Sequence, residues 1–140
     1  MPSNDTINEK LLYLAKYIGQ LGEFKPKTYD VYRSNIQVKY AIERIVQLIV
    51  DTTLDINNFL LARAKKPAAS DYFNSFIDLS ECGALDQSLA FAIAPSTGLR
   101  NRLVHEYEAV NDEIVYKSID KNIELYKRYL VAVSEFIKQN

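Results

Sequence analysis

Apolar residues recur three and four positions apart along almost the whole chain, and no stretch alternates apolar with polar over the length of a strand. Ile7, Leu11, Leu14 and Ile18 make the first stripe, behind a capping residue at Asp5 or Thr6. The spacing predicts a helix that stops near Gly19 or Gly22, with FKPKTY as a connector. The next stripe is the longest: Val38, Ile42, Ile45, Ile49, Ile56 and Phe59, with Thr52 in the missing slot and Val46, Val50 and Leu60 broadening the face. It predicts one helix from Thr28 or Tyr29 to about Ala64, about 36 residues without glycine or proline. Such length exceeds what one small domain usually requires and suggests a bundle backbone or a dimer surface.

Lys65, Lys66 and Pro67 end that stripe. A short helix is predicted from Ser70 to Glu81, carrying Phe73, Phe76, Ile77 and Leu79, and Gly83 breaks the chain after it. Leu85 to Ile93 reads as another short helix, with Pro95 at a kink or a fresh start, and Ser96 to Glu106 continues as helix. Asn111 and Asp112 are caps for a last helix, on which Ile119, Ile123, Tyr126, Leu130, Val133 and Ile137 alternate four and three apart. The expected fold is all-α, a helical bundle of one domain over residues 1–140.

Composition narrows the function. A hydrophobic fraction of 48% and a charged fraction of 25% describe a globular chain. With 17 basic and 18 acidic residues the net charge is −1, so contact with nucleic acid must come from a local patch rather than an overall basic surface. The single cysteine, Cys82, excludes an internal disulfide and fits a reducing compartment. It has no metal-ligand companion and reads as a small core or surface residue. The polar start MPSNDTINEK lacks a signal-peptide core, and no apolar run approaches a membrane span, so a cytoplasmic protein with no membrane contact is expected.

The chemistry concentrates in Gly98 to Tyr107, GLRNRLVHEY, which holds the only histidine. Imidazole exchanges a proton near neutral pH, and guanidinium is shaped to hold phosphate at two points. On an ideal helix Asn101 lies about 40° and Arg102 about 60° from His105, one on either side, while Arg100 is about 140° away. Arg100 must therefore curl round, the helix must distort, or Arg100 must act on a partner subunit's site. Tyr107 joins His105 only if the helix ends there, which the polar EYEAVND stretch favours. This set suits RNA cleavage without metal. A base takes the 2′-hydroxyl proton, an acid protonates the leaving 5′-oxygen, and positive charge stabilises the phosphorane. One histidine supplies one proton-transfer group, and a symmetric dimer would place two copies of His105 across one cleft. By spacing alone, His105 reads as a satisfied structural histidine, Arg100 and Arg102 as solvated or paired with Glu106 and Glu108, and Tyr107 as a half-buried packing residue.

The pattern Arg-Asn-x3-His-x-Tyr, preceded by Gly-Leu, resembles the HEPN superfamily, specifically the HepT-like toxins of HepT–MntA type toxin–antitoxin systems. The resemblance extends to YAIERIVQLIVDT, similar to that family's long second helix, to KPAASDYFNSFIDLSECGAL as its connector, and to EAVNDEIVYKSI after the motif; it covers roughly Tyr29 to Ile137. It implies a HEPN-like homodimer whose motifs face each other in a cleft. It implies a metal-independent endoribonuclease of tRNA or mRNA, with Arg100 and His105 catalytic, Asn101 shaping the site, and no cofactor; Arg102, which flanks the imidazole on the helix, is expected to shape the site as well. It further implies neutralisation through AMPylation of Tyr107 by an MntA-like nucleotidyltransferase antitoxin. Two rivals are a non-catalytic nucleotide- or RNA-binding module that partners a nucleotidyltransferase, and a structural helical dimer whose motif makes only salt bridges. Arg33, Lys39 and Arg44 on the long helix would line an RNA cleft or simply be solvated, and Asp51 with Asp55 gives poor support for a metal site.

Overall fold

A computed structural model describes residues 4–139 of the chain. Seven α-helices and one 3-10 turn succeed one another: α1 Asn4–Phe24, α2 Tyr29–Ser34, α3 Ile36–Arg63, α4 Tyr72–Glu81, α5 Gln87–Ile93, α6 Ser96–His105, the turn Tyr107–Ala109, and α7 Asp112–Gln139. No strand occurs among the described residues. The all-α bundle expected from periodicity is what forms.

α1, α3 and α7 are the long rods, and α1 packs on both α3 and α7. α1 buries Ile7, Leu11, Leu14, Ile18 and Leu21, the predicted stripe extended by one turn. The expected stop at Gly19 or Gly22 does not occur: α1 runs through both to Phe24. Neither glycine takes the left-handed backbone found at Gly83, so neither marks a turn.

The very long second helix is divided. Asn35 leaves helical geometry (φ −116, ψ 97), and its side chain accepts from the Val38 amide at 3.2 Å, capping α3. The Ser34 hydroxyl bonds back to the Asp30 carbonyl at 2.7 Å, closing α2 from within. The start at Thr28 holds, since its hydroxyl caps the Val31 amide. The break lets α2 turn and bury Tyr32 completely.

α3 lies at the centre, against α1, α2, α4 and α6. By length and composition it is apolar enough to cross a membrane, which the expectation of no such run overlooked, but half of that apolar window is buried inside the bundle. Thr52 does not fill the gap in its stripe; Thr53 and Asn57 do, both fully buried. The Thr53 hydroxyl bonds to the Ile49 carbonyl at 2.7 Å. Asn57 donates to Ser75 Oγ at 2.9 Å and accepts from the Tyr129 hydroxyl at 2.6 Å, tying α3 to α4 and α7. Every polar group in that chain is paired, as burial requires.

The helix ends follow local chemistry. Lys65 adopts left-handed backbone (φ 59) after α3, and Lys66 N–H reaches back to the Leu61 carbonyl at 2.9 Å. Gly83 does the same after α4 (φ 86), where Ala84 N–H returns to Leu79. Asp71 and Asp86 cap α4 and α5. Pro95 is a fresh start, opening α6.

Candidate active site

α6 delivers the motif to one end of the bundle and stops at His105. Glu106 departs from the helix (φ −138, ψ 48), and a 3-10 turn carries Tyr107. Asn111 then caps α7 by accepting from the Glu113 and Ile114 amides at 3.0 and 3.1 Å. The helix thus ends before Tyr107, but the Tyr107 hydroxyl goes to Glu43 rather than to His105.

Arg100 does not curl towards His105. The large angular separation turns it inward, towards α3 and α4. Its Nε donates to Asp51 Oδ1 at 2.7 Å, and its guanidinium lies over the Tyr72 ring, 4.7 Å from the centroid. The side chain is only 13% exposed, with an orientation set by two independent contacts. Its Nη1 is 3.4 Å from Asn101 Oδ1.

The expected flanking of the imidazole is not seen as contact. Among the described residues the His105 side chain makes no hydrogen bond or ion pair, and it is exposed at the end of α6. Asn101 bonds to Arg100 instead. The Arg102 side chain runs back along α6 past Gly98 and lines a groove of about 180 Å³ with Ser118, Lys121 and Asn122. Arg100 and Arg102 are not paired with Glu106 or Glu108: Asp51 takes Arg100, and no ion pair to Arg102 occurs among the described residues.

Tyr107 is the other anchored residue. The residue is 40% exposed, yet its hydroxyl donates to both oxygens of Glu43, at 2.9 and 3.2 Å. Glu43 is a carboxylate at 5% exposure on the buried face of α3. Burial lifts its carboxyl above the ordinary range, against the lowering pull of the Tyr107 hydrogen bond and of Lys39. Desolvation, with the facing Glu43, holds the Tyr107 phenol well above its ordinary value. Lys39 sits one turn before Glu43 but is taken by Asp112 at 3.0 Å, and that hydrogen bond raises its ammonium. Tyr32 comes up from beneath, its buried hydroxyl without a hydrogen-bond partner.

Sequence reasoning missed Glu43, Tyr72 and Asp112. Glu43 carried a signal: an acid at i−3 to Val46, on the apolar stripe of a core helix. Asp51 and Asp55, weighed for metal, are held by Arg100 and Lys10 instead. No group of three metal-ligating side chains occurs among the described residues. Arg33 pairs with Asp30 on the surface, and Arg44 reaches only Gln47. Cys82 is a half-buried free thiol closing α4.

An all-helical frame that ends one helix in an arginine–histidine pair has clear relatives. The chain superposes on the tri-AMPylated HEPN toxin of Shewanella oneidensis, solved in complex with MNT antitoxin, with a TM-score of 0.86 at 19% identity over 95% of this chain and 99% of that one. It superposes on the cytosolic protein YutE of Bacillus subtilis, of unknown function, with a TM-score of 0.83 at 16% identity, covering 98% of this chain and 92% of that one. These likenesses define the fold. In sequence it is 33% identical over 131 residues to the tRNA nuclease HepT of Aphanizomenon flos-aquae, covering 94% of this chain and 89% of that protein. The model of the family described as Ribonuclease HepT-like matches residues 14–133. The chain belongs to this family, and it is an endoribonuclease.

Proposed function

We propose that this endoribonuclease is the toxin of a toxin–antitoxin pair and cleaves tRNA or mRNA without metal, in the cytoplasm, at a cleft formed by two copies of the chain. Arg100 holds and neutralises the scissile phosphate through guanidinium N–H groups other than the Nε that Asp51 takes, with Tyr72 steadying the plane of the group. His105 moves the proton, and its exposed position at the end of α6 leaves the imidazole open to substrate. Asn101 keeps Arg100 in register. Arg102 lies off the reacting centre, beside the groove with Lys121, where it meets RNA backbone further along. Since α6 turns Arg100 and His105 to different faces, a second subunit supplies the complement across the cleft. A cognate nucleotidyltransferase antitoxin silences the enzyme by AMPylation of Tyr107, whose added phosphate repels RNA beside His105. The toxin–MNT complex of the Shewanella relative supports this reading.

The observation that carries the proposal is the ending of α6 at His105, which gathers a fixed guanidinium, a free imidazole and a tethered phenol within eight residues. The test is cleavage of total tRNA by purified protein in the presence of a chelator. Wild type should leave 2′,3′-cyclic phosphate ends, and His105→Ala should lose about 10²-fold or more in rate. Full cleavage by His105→Ala would refute the assignment.

A further inference from the structure

Glu43 is a costly residue to place where it is. A carboxylate on the buried face of a core helix needs compensation, and an ion pair would be the usual one. Among the described residues Glu43 makes none: Lys39, the cation that acts on it, is engaged by Asp112. Among the described residues its side-chain hydrogen bonds both come from one phenol, the Tyr107 hydroxyl, which it grips with both oxygens. The other groups facing the pair are Tyr40 on α3, Tyr32 on α2 and Asp112 on α7, none of them a cation. A phenol in this setting needs help to become a nucleophile, because it stays protonated far above neutral pH.

We infer that Glu43 is the proton acceptor for adenylylation of Tyr107, aligning the phenol hydroxyl and taking its proton during attack on a nucleoside triphosphate presented by the transferase. The inference rests on the reading of Tyr107 as the modified residue. In the step, a bond forms between Tyr107 Oη and the α-phosphorus. The bond from the α-phosphorus to the oxygen bridging towards the β-phosphate breaks, pyrophosphate leaves with that electron pair, and the phenolic proton moves to Glu43 before passing to solvent. A carboxyl held above the ordinary range is better matched to this transfer than an exposed one. The product cannot return to its starting contact. The hydroxyl proton is gone, and a phosphodiester anion faces the carboxylate, so the modified side chain swings out on its 3-10 turn towards the exposed His105.

The experiment uses the full chain in complex with an MNT-type nucleotidyltransferase, ATP and magnesium, following the mass of one adenylyl group and mapping it. Wild type should gain it on Tyr107. Glu43→Gln keeps an acceptor for the phenol but cannot take the proton. Its turnover should fall about 10²-fold with KM for ATP unchanged. Its rate should lose the acid limb set by Glu43 and climb steadily with pH instead. Glu43→Asp should recover part of the rate, with a displaced acid limb, which keeps the test open if the glutamine variant folds poorly. Modification of Glu43→Gln at the wild-type rate and pH profile would overturn the inference and leave the Tyr107 reading standing. A wild-type chain unmodified at Tyr107 would sink both.

Discussion

The two ends of the motif are held by the same helix in opposite ways. At one end Arg100 is clamped between Asp51 and Tyr72 and is nearly buried. At the other, Tyr107 leaves its ring partly in solvent and is tied by its hydroxyl to one acid, Glu43. Both acids belong to α3, eight residues apart, about two turns along its axis. The contrast is instructive. A group that must stabilise developing charge benefits from two contacts that forbid movement. On the proposed reading, a group that is to be modified is better held by one contact that the modification itself destroys. His105, between them, is bound by neither.

The sharpest way to break this comparison is at the clamped end. Arg100→Ala should reduce RNA cleavage about 10²-fold, by analogy with loss of a single transition-state donor, while Asp51→Asn keeps the cation but frees it and should cost roughly tenfold. Single-turnover cleavage rates decide it. Equal losses for the two variants would mean that the guanidinium contributes nothing unless Asp51 holds it, and no loss for Asp51→Asn would mean that the clamp is dispensable.

A smaller effect should follow from beneath the clamp. Asn57 braces α4, which carries Tyr72, through Ser75, and Ser75 Oγ itself bonds to the Tyr72 carbonyl at 2.7 Å. Asn57→Ala would leave Ser75 and Tyr129 short of a buried partner and should lower unfolding free energy by about 1–3 kcal/mol, read by denaturant titration. A variant with wild-type stability would show that the buried polar chain is dispensable.

The smallest effect concerns the tethered end and its pH dependence. The Glu43 carboxyl is raised in the folded state, so the folded protein prefers it protonated. The stability it contributes is fully present below the ordinary carboxylate value and is lost as pH rises through the raised one. Glu43→Gln should therefore melt slightly above wild type at neutral pH, and the gap should close as the solution is acidified. A gap that widens towards acid would reverse the sign and show that Glu43 is stabilised as an anion.

How much of this was legible in the chain depends on the range of the interaction. The helices of the bundle, the caps at Thr28 and Asn111 and the turn at Gly83 are local, and local spacing revealed them. The break at Asn35 is local too, but an asparagine inside an apolar stripe reads as a tolerated polar residue until its side chain is seen to cap Val38. The run of α1 through two glycines needed the packing of α1 on α3 and α7 to outweigh their poor helix propensity.

The site divides along the same line. Order along the chain alone determined that Arg100, Asn101, Arg102, His105 and Tyr107 share one segment, that α6 would hold Arg100 and His105 on different faces, and that the chain resembles the HepT-like family. Only the tertiary structure decided what each side chain touches. Asp51 lies 49 residues before Arg100, and Glu43 lies 64 before Tyr107. No periodicity encodes such pairings, because they arise when α6 packs across α3, and hydrophobic burial that positions the helices is blind to which polar groups it brings together.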